Sequence, residues 1–309
     1  MLRNSALLAL LTLAASALRL PGAPSDPPEA LAHEWQSIEG GHWQIVSADP
    51  EEAPEDTDRT ENTRGACGAG MVEVAGRMLA PGSGEFDAVG ALQRGACVDW
   101  ISRTFPERCA RFDPARWTAS AASLPRRMMH FCVDRFEYPN LRGAYPWIMV
   151  DWNAARALCG DEGKRLCSED EWTFACEGED ARPYPYGYER DPEACVIDRP
   201  WRAYDANALG SGDPGRVRAE LDRLWQGQPS GARPRCRSPF GVYDMTGNVD
   251  EWTASTVGGE RPSVLKGGYW GPVRARCRPS TRAHGATFTF YQQGFRCCTD
   301  PPPQAAPTD

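Results

Sequence analysis

The sequence predicts an irregular α+β domain, rich in loops, with short strands and few helices. Three observations carry that prediction. Helix signals are few and short, each with its own capping residues, and apolar runs that suit strands, such as Met71-Val72-Glu73-Val74, last only a few residues. Glycine (30), proline (27) and cysteine (12) interrupt the chain so often that no heptad, internal repeat or parallel βαβ pattern survives.

The chain opens Met1-Leu2-Arg3, continues with an apolar run from Ala6 to Leu13 and reaches Ala15-Ser16-Ala17. A basic start, a short apolar stretch and a small-residue site make a secretory signal peptide over residues 1–17, cleaved near Ala17, so the mature protein is expected in the periplasm or the medium. The run is shorter than the roughly 20 residues that span a bilayer, so the protein is not expected to cross a membrane. Residues 18–63 are proline-rich and crowd Asp49, Glu51, Glu52, Glu55, Asp56, Asp58 and Glu61 together, which predicts a disordered leader. Trp35, Trp43, Ile45 and Val46 are the positions by which it would dock.

The folded domain is expected over residues 64–300, with a disordered tail at 301–309 behind Pro301-Pro302-Pro303. Residues 97–132 place Cys97, Cys109 and Cys132 among Trp100, Trp117 and many charges, a spacing that reads as loops stapled by bridges. Asp151 is positioned to cap a helix whose Ala155, Leu158 and Cys159 share a face and which Gly160 ends. Ser168 and Glu171 form a capping box for a second helix, to about Ala175, that buries Trp172 and Phe174. Asp213-Pro214 opens a third, with Val217, Leu221, Leu224 and Trp225 on one face and Gly227 as its stop.

The formal net charge of −8 argues against a nucleic-acid partner. Twelve cysteines, an even number, in an exported chain point to disulfides. A zinc cluster is the weaker reading, because no C-x-x-C pair occurs and His33, His42, His130 and His284 lie far apart.

The stretch from Ser238 to Cys298 organises the rest. Its glycines, acids, tryptophans and cysteines form a segmented pattern that core packing alone does not require. Asp244 and Glu251 stand seven residues apart with a Gly-Asn turn between them, able to aim carbonyls inward, and calcium prefers such hard oxygens.

These residues resemble the formylglycine-generating enzyme family, also called sulfatase-modifying factors. The family's G-x-x-D/N-x-x-G-N-V/A-x-E-W, R/K-G-G-S and G-F-R appear as Gly241 to Trp252, Lys266-Gly267-Gly268-Tyr269 and Gly294-Phe295-Arg296. An earlier block agrees in the same order: Val150-Asp151-Trp152-Asn153-Ala154-Ala155, Gly163-Lys164-Arg165-Leu166, Glu169-Asp170-Glu171-Trp172 and Pro185-Tyr186-Gly187. Phe131 to Tyr138 is similar to the family's entry strand, and the resemblance covers roughly residues 65 to 300. It implies a fold related to C-type lectins. It also implies a calcium ion held by the side chains of Asp244 and Glu251 and the carbonyls of Gly247 and Val249.

The family's active members hold copper(I) on a C-x-x-x-x-C pair after R/K-G-G-S and oxidise a substrate cysteine to formylglycine. Here the second position is Cys277 but the first is Pro272, which offers no donor; Tyr269 replaces the family's serine and Asp250 its tryptophan. The resemblance further implies a Cys159–Cys297 bridge, whereas the usual partner of Cys176 is replaced by Arg282, leaving Cys277 or Cys298 to supply one.

Two functional readings follow. The first is a non-catalytic, calcium- and disulfide-stabilised binding module whose groove, lined by Tyr269, Trp270, Arg274, Arg276, Arg278 and His284, takes a peptide or small ligand. The second is a copper-dependent oxidase acting on a substrate protein, with Cys277 as its essential thiolate.

Overall fold

The computed structural model describes residues 32–46, 67–80, 88–257 and 262–301. The predicted signal peptide lies outside the described residues, as does the tail beyond Pro301. No helix among the described residues is long and apolar enough to cross a membrane.

Part of the leader expected to be disordered is a hairpin, β1 (Trp35–Ile38) and β2 (His42–Ile45), paired antiparallel. Gly40 and Gly41 lie between the strands with φ of +92° and +85°, the backbone that the reversal needs. Trp35, Trp43 and Ile45 are buried, and Trp35 meets Trp225 edge-on at 5.7 Å. Each such burial stabilises by ~1.5–3 kcal/mol.

β3 (Met71–Leu79) opens the main body. α1 (Ala88–Gly95) follows, then a hairpin of β4 (Cys97–Ser102) and β5 (Arg108–Phe112) and α2 (Pro114–Ala121), the last three within the stretch 97–132 that the sequence suggested as stapled loops. The staple is present as Cys97–Cys109, but it ties two paired strands together. Asp113 caps α2 and Pro114 fills its first position. β6 (Arg126–Asp134) then pairs with β3 over the whole length of both.

α3 (Trp152–Asp161) starts at the Asp151 cap, whose carboxylate accepts the Ala154 N–H at 2.8 Å, and runs one residue beyond the expected stop at Gly160. After β7 (Arg165–Leu166), α4 (Glu169–Glu177) begins at the reciprocal Ser168–Glu171 box. α5 (Ala206–Leu209) precedes α6 (Pro214–Leu224), which Asp213 caps. β8 (Asp250–Ala254), β9 (Ser263–Lys266), β10 (Ser280–Thr281), β11 (Gln293–Phe295) and β12 (Cys297–Thr299) complete the α+β, loop-rich architecture.

Two four-stranded sheets carry the site, in orders β3-β6-β12-β7 and β10-β9-β8-β11. α4 supplies Trp172, Phe174 and Cys176 to a core with Val74, Phe131, Val133, Met245 and Cys277. In the second sheet β11 runs parallel to β8, setting Gly294 opposite Glu251. Disulfides link Cys67–Cys132, Cys97–Cys109, Cys159–Cys297, Cys167–Cys298, Cys176–Cys277 and Cys195–Cys236.

Candidate functional site

The Asp244-to-Glu251 turn enters β8 through three left-handed residues, Asp244 (φ +57°), Gly247 (φ +81°) and Asn248 (φ +54°). Gly247 has a second constraint: a Cβ there would lie 2.2 Å from the Val196 carbonyl oxygen, so no other residue fits. Asn248 fixes the turn by donating to Glu137 (2.7 Å) and the Gln228 carbonyl (3.1 Å) while accepting the Gln228 N–H (2.9 Å). Asp244 accepts the Gly231 N–H at 2.7 Å.

Glu251 is held by Arg296, whose Nη2 reaches Oε1 at 2.6 Å and Nε reaches Oε2 at 2.7 Å; Trp172 Nε1 also donates to Oε2 at 2.8 Å. Glu137, Asp244 and Glu251 are all buried around that one guanidinium. Burial, reinforced by Glu251, pushes the Asp244 carboxyl up to about 7; burial and both neighbouring acids push Glu137 well above the carboxylate range. The cluster carries surplus negative charge that a proton or a hard cation neutralises. Glu137 belongs to it although the sequence marked it only as part of an entry strand.

Among the described residues no three His, Cys, Asp or Glu side chains come within reach of one metal ion. The predicted calcium set has two side chains and two carbonyls, so its coordination rests on the backbone of the turn.

The sulfur expected as a thiolate is not free. Cys277 is buried and bonded to Cys176 of α4, with the Cα atoms 5.5 Å apart, because α4 presents Cys176 to the same core that receives Cys277. This corrects the reading of Cys277 as a nucleophile.

A cleft of about 380 Å³ has Pro272 in its wall, together with Arg276, the neighbour of Cys277 in sequence. Its charged lining consists of Asp250, Arg274 and Arg276; Tyr269 adds a phenol, and Phe105 and Trp201 stand exposed at its rim. Asp250 accepts the Gly268 N–H at 2.9 Å, and burial raises its carboxyl to about 6 against the pull of Arg274. Arg274 donates to the Ser280 carbonyl at 3.1 Å and to the Thr281 hydroxyl, and its guanidinium lies over Phe105.

Tyr269, Arg274 and Arg276 line the cleft as the sequence suggested, but three other predicted groove residues do not. Trp270 is core, edge-on to Trp225 at 4.8 Å. Arg278 is buried in a two-pronged pair with Glu177 at 2.6 and 2.8 Å. His284 stacks on Phe288 with ring centres 4.0 Å apart. Tryptophan and arginine are enriched at binding surfaces, yet residue type does not tell a rim from a core.

Residues 107–301 match the sulfatase-modifying factor enzyme 1-like domain. The inactive C-alpha-formylglycine-generating enzyme 2 of Bos taurus is 34% identical over 164 residues, 50% of this chain and 50% of that protein. The formylglycine-generating enzyme of Mus musculus is 28% identical over 186 residues, 53% of this chain and 46% of that protein. The chain thus spans about half the length of the curated relatives it matches. Among solved structures, PvdO from Pseudomonas aeruginosa aligns with a TM-score of 0.45 and 18% identity over 74% of this chain and 94% of that one. With its domain match over residues 107–301 and the ordered motifs from Val150 to Arg296, the chain belongs to the sulfatase-modifying factor family.

Proposed function

We propose that this protein is an exported binding module of the family, held by calcium and disulfides, and not a copper oxidase. The observation that carries the reading is the Cys176–Cys277 bridge. A copper(I) site of the family type needs two soft thiolates; here one sulfur is spent in a disulfide and the other position is Pro272. The residues present do not fit copper.

Calcium fits better. Asp244, Glu251 and the carbonyls of Gly247 and Val249 offer hard oxygens on a turn, and the buried surplus of negative charge is of the sign a divalent cation offsets. Glu251 Oε1 accepts one hydrogen bond and so keeps a lone pair for a cation. Bound there, calcium would supply charge neutralisation and stiffness rather than chemistry. Six disulfides support an oxidising, exported setting. The cleft beside Pro272 is then a place to bind a peptide or small ligand.

Mass spectrometry of the oxidised protein after thiol alkylation in denaturant tests the reading, together with Cu(I) titration and a cysteine-peptide turnover assay on the native protein. The expected result is no alkylation at Cys277, no stoichiometric Cu(I) and no turnover. Alkylated Cys277 with copper-dependent formylglycine formation would overturn it.

A further inference from the structure

Arg276 is only 5% exposed, yet no described acid forms an ion pair with it. Its Nη1 donates to Gln93 Oε1 at 3.2 Å, its guanidinium sits 5.4 Å from the centre of the Phe112 ring, and its buried Nε has no acceptor. The neighbouring Glu107 is engaged by Arg94 at 3.3 Å. A buried guanidinium without a carboxylate is costly, and Arg276 is among the residues that line the cleft. The other buried arginines described here, Arg278 and Arg296, each hold a carboxylate in both prongs.

We infer that the cleft binds a monoanionic carboxylate attached to a compact apolar body, with Arg276 receiving the carboxylate and the Phe105–Trp201 rim covering the body. The inference rests on the binding-module reading and names its ligand class. A guanidinium donates charge-assisted hydrogen bonds to a carboxylate, and with Nη1 given to Gln93 the remaining donors of Arg276 are the ones to receive it. Two arginines against Asp250 give the lining one net positive charge, which complements one negative charge, and Asp250 repels a dianion such as phosphate. The remaining wall is chiefly apolar, from Leu265, Pro272, Val273, Ala275 and Pro279. Phe105 (84% exposed) and Trp201 (62%) are large apolar side chains left to solvent at its edge, as an open ligand site leaves them. Burial and the like charges of Arg274 and Arg190 draw the Arg276 guanidinium down to about 10, consistent with a cation that lacks its counterion.

The test is calorimetry on the oxidised full chain with N-acetyl-phenylalanine, its neutral amide and inorganic phosphate. The acid should bind, and the amide and phosphate should bind about tenfold or more weakly. Arg276→Met should lose about tenfold or more in affinity for the acid while its Tm stays level or rises, because an unpaired buried charge has been removed. Phe105→Ala, at an exposed position, should weaken the acid and the amide alike. Equal binding of acid and amide, tighter binding of phosphate, or no heat from the acid at about 5 mM would each overturn the carboxylate assignment. None of these results would free Cys277, so the binding-module reading falls only to the alkylation and turnover assay.

Discussion

Arg296 and Glu251 hold each other in a two-pronged ion pair at 2.6 and 2.7 Å, with side chains 0% and 1% exposed. The pair fastens the Gly-Phe-Arg segment at the end of β11 to the Glu-Trp segment of β8, so two motifs distant in sequence form one structural unit. Arg296 also donates to the carbonyls of Asp134 (3.2 Å) and Tyr243 (2.9 Å), tying in β6 and the turn before β8.

The two sides of the pair are not equivalent, because Arg296 also neutralises Glu137 and Asp244. Arg296→Met in calcium-free buffer leaves three buried acids without their cation and should cost ~3–5 kcal/mol in urea unfolding, Glu251→Gln should cost less, and the double variant should cost less than the sum. A loss below ~1 kcal/mol in Arg296→Met would show that the charge is solvated after all.

Calcium removal should loosen the native state. Relative to calcium at about 100 times its Kd, chelation is expected to lower Tm by roughly 5–10 °C, and Asp244→Asn should abolish most of that response. Identical melting curves with and without chelator would exclude calcium from this turn.

The bridge between Cys176 and Cys277 closes 101 residues of chain. Replacing both cysteines by serine should destabilise by ~2–5 kcal/mol, while Cys277→Ser alone should leave Cys176 as a thiol that is alkylated once the protein is denatured. Neither variant should gain copper-dependent turnover, since Pro272 still offers no donor.

Glu220 of α6 binds Arg223 and also accepts the Asp205 N–H at 2.7 Å, joining α6 to the start of α5. Arg223 holds the Glu220 carboxyl below its ordinary value of 4.5. A lowered folded value gives stability that is present above the unfolded value and is lost as pH falls through the folded one. Glu220→Gln should therefore cost up to ~1 kcal/mol at neutral pH, because Arg223 is half exposed, and the difference should fade in acid below 4.5. A cost independent of pH in denaturant titrations would point to packing instead.

Local signals were the legible part of this fold. The Asp151 cap, the Ser168–Glu171 box and the Asp213-Pro214 start are each complete within a few residues, and each opens a helix where expected. Asp113-Pro114 carries the same signature and opens α2, but the cysteines and charges around it drew the reading toward loops. The β1–β2 hairpin went unread for a related reason: a Gly-Gly turn between tryptophans sits in a stretch whose average composition is that of a disordered chain. The cleft was legible in part. Tyr269, Arg274 and Arg276 are near one another in sequence, whereas Phe105 and Trp201 reach it from loops that only tertiary packing brings close. Glu137 likewise joins the acidic cluster through Asn248, a contact across 111 positions that no local pattern encodes.

Cys297 and Cys298 are neighbours on β12, and successive strand residues face opposite sides, so one bonds to Cys159 in α3 and the other to Cys167 just ahead of α4. Together with Cys176–Cys277, these bridges span 138, 131 and 101 residues, and each waits for a cysteine from the C-terminal end. A chain made from its N-terminus delivers those cysteines last. Until then Cys159, Cys167 and Cys176 stand as unmatched thiols, and any early pairing among them has to be undone. These three bridges therefore close only after residues 277 to 298 have emerged, and they do not form in step with the growing chain.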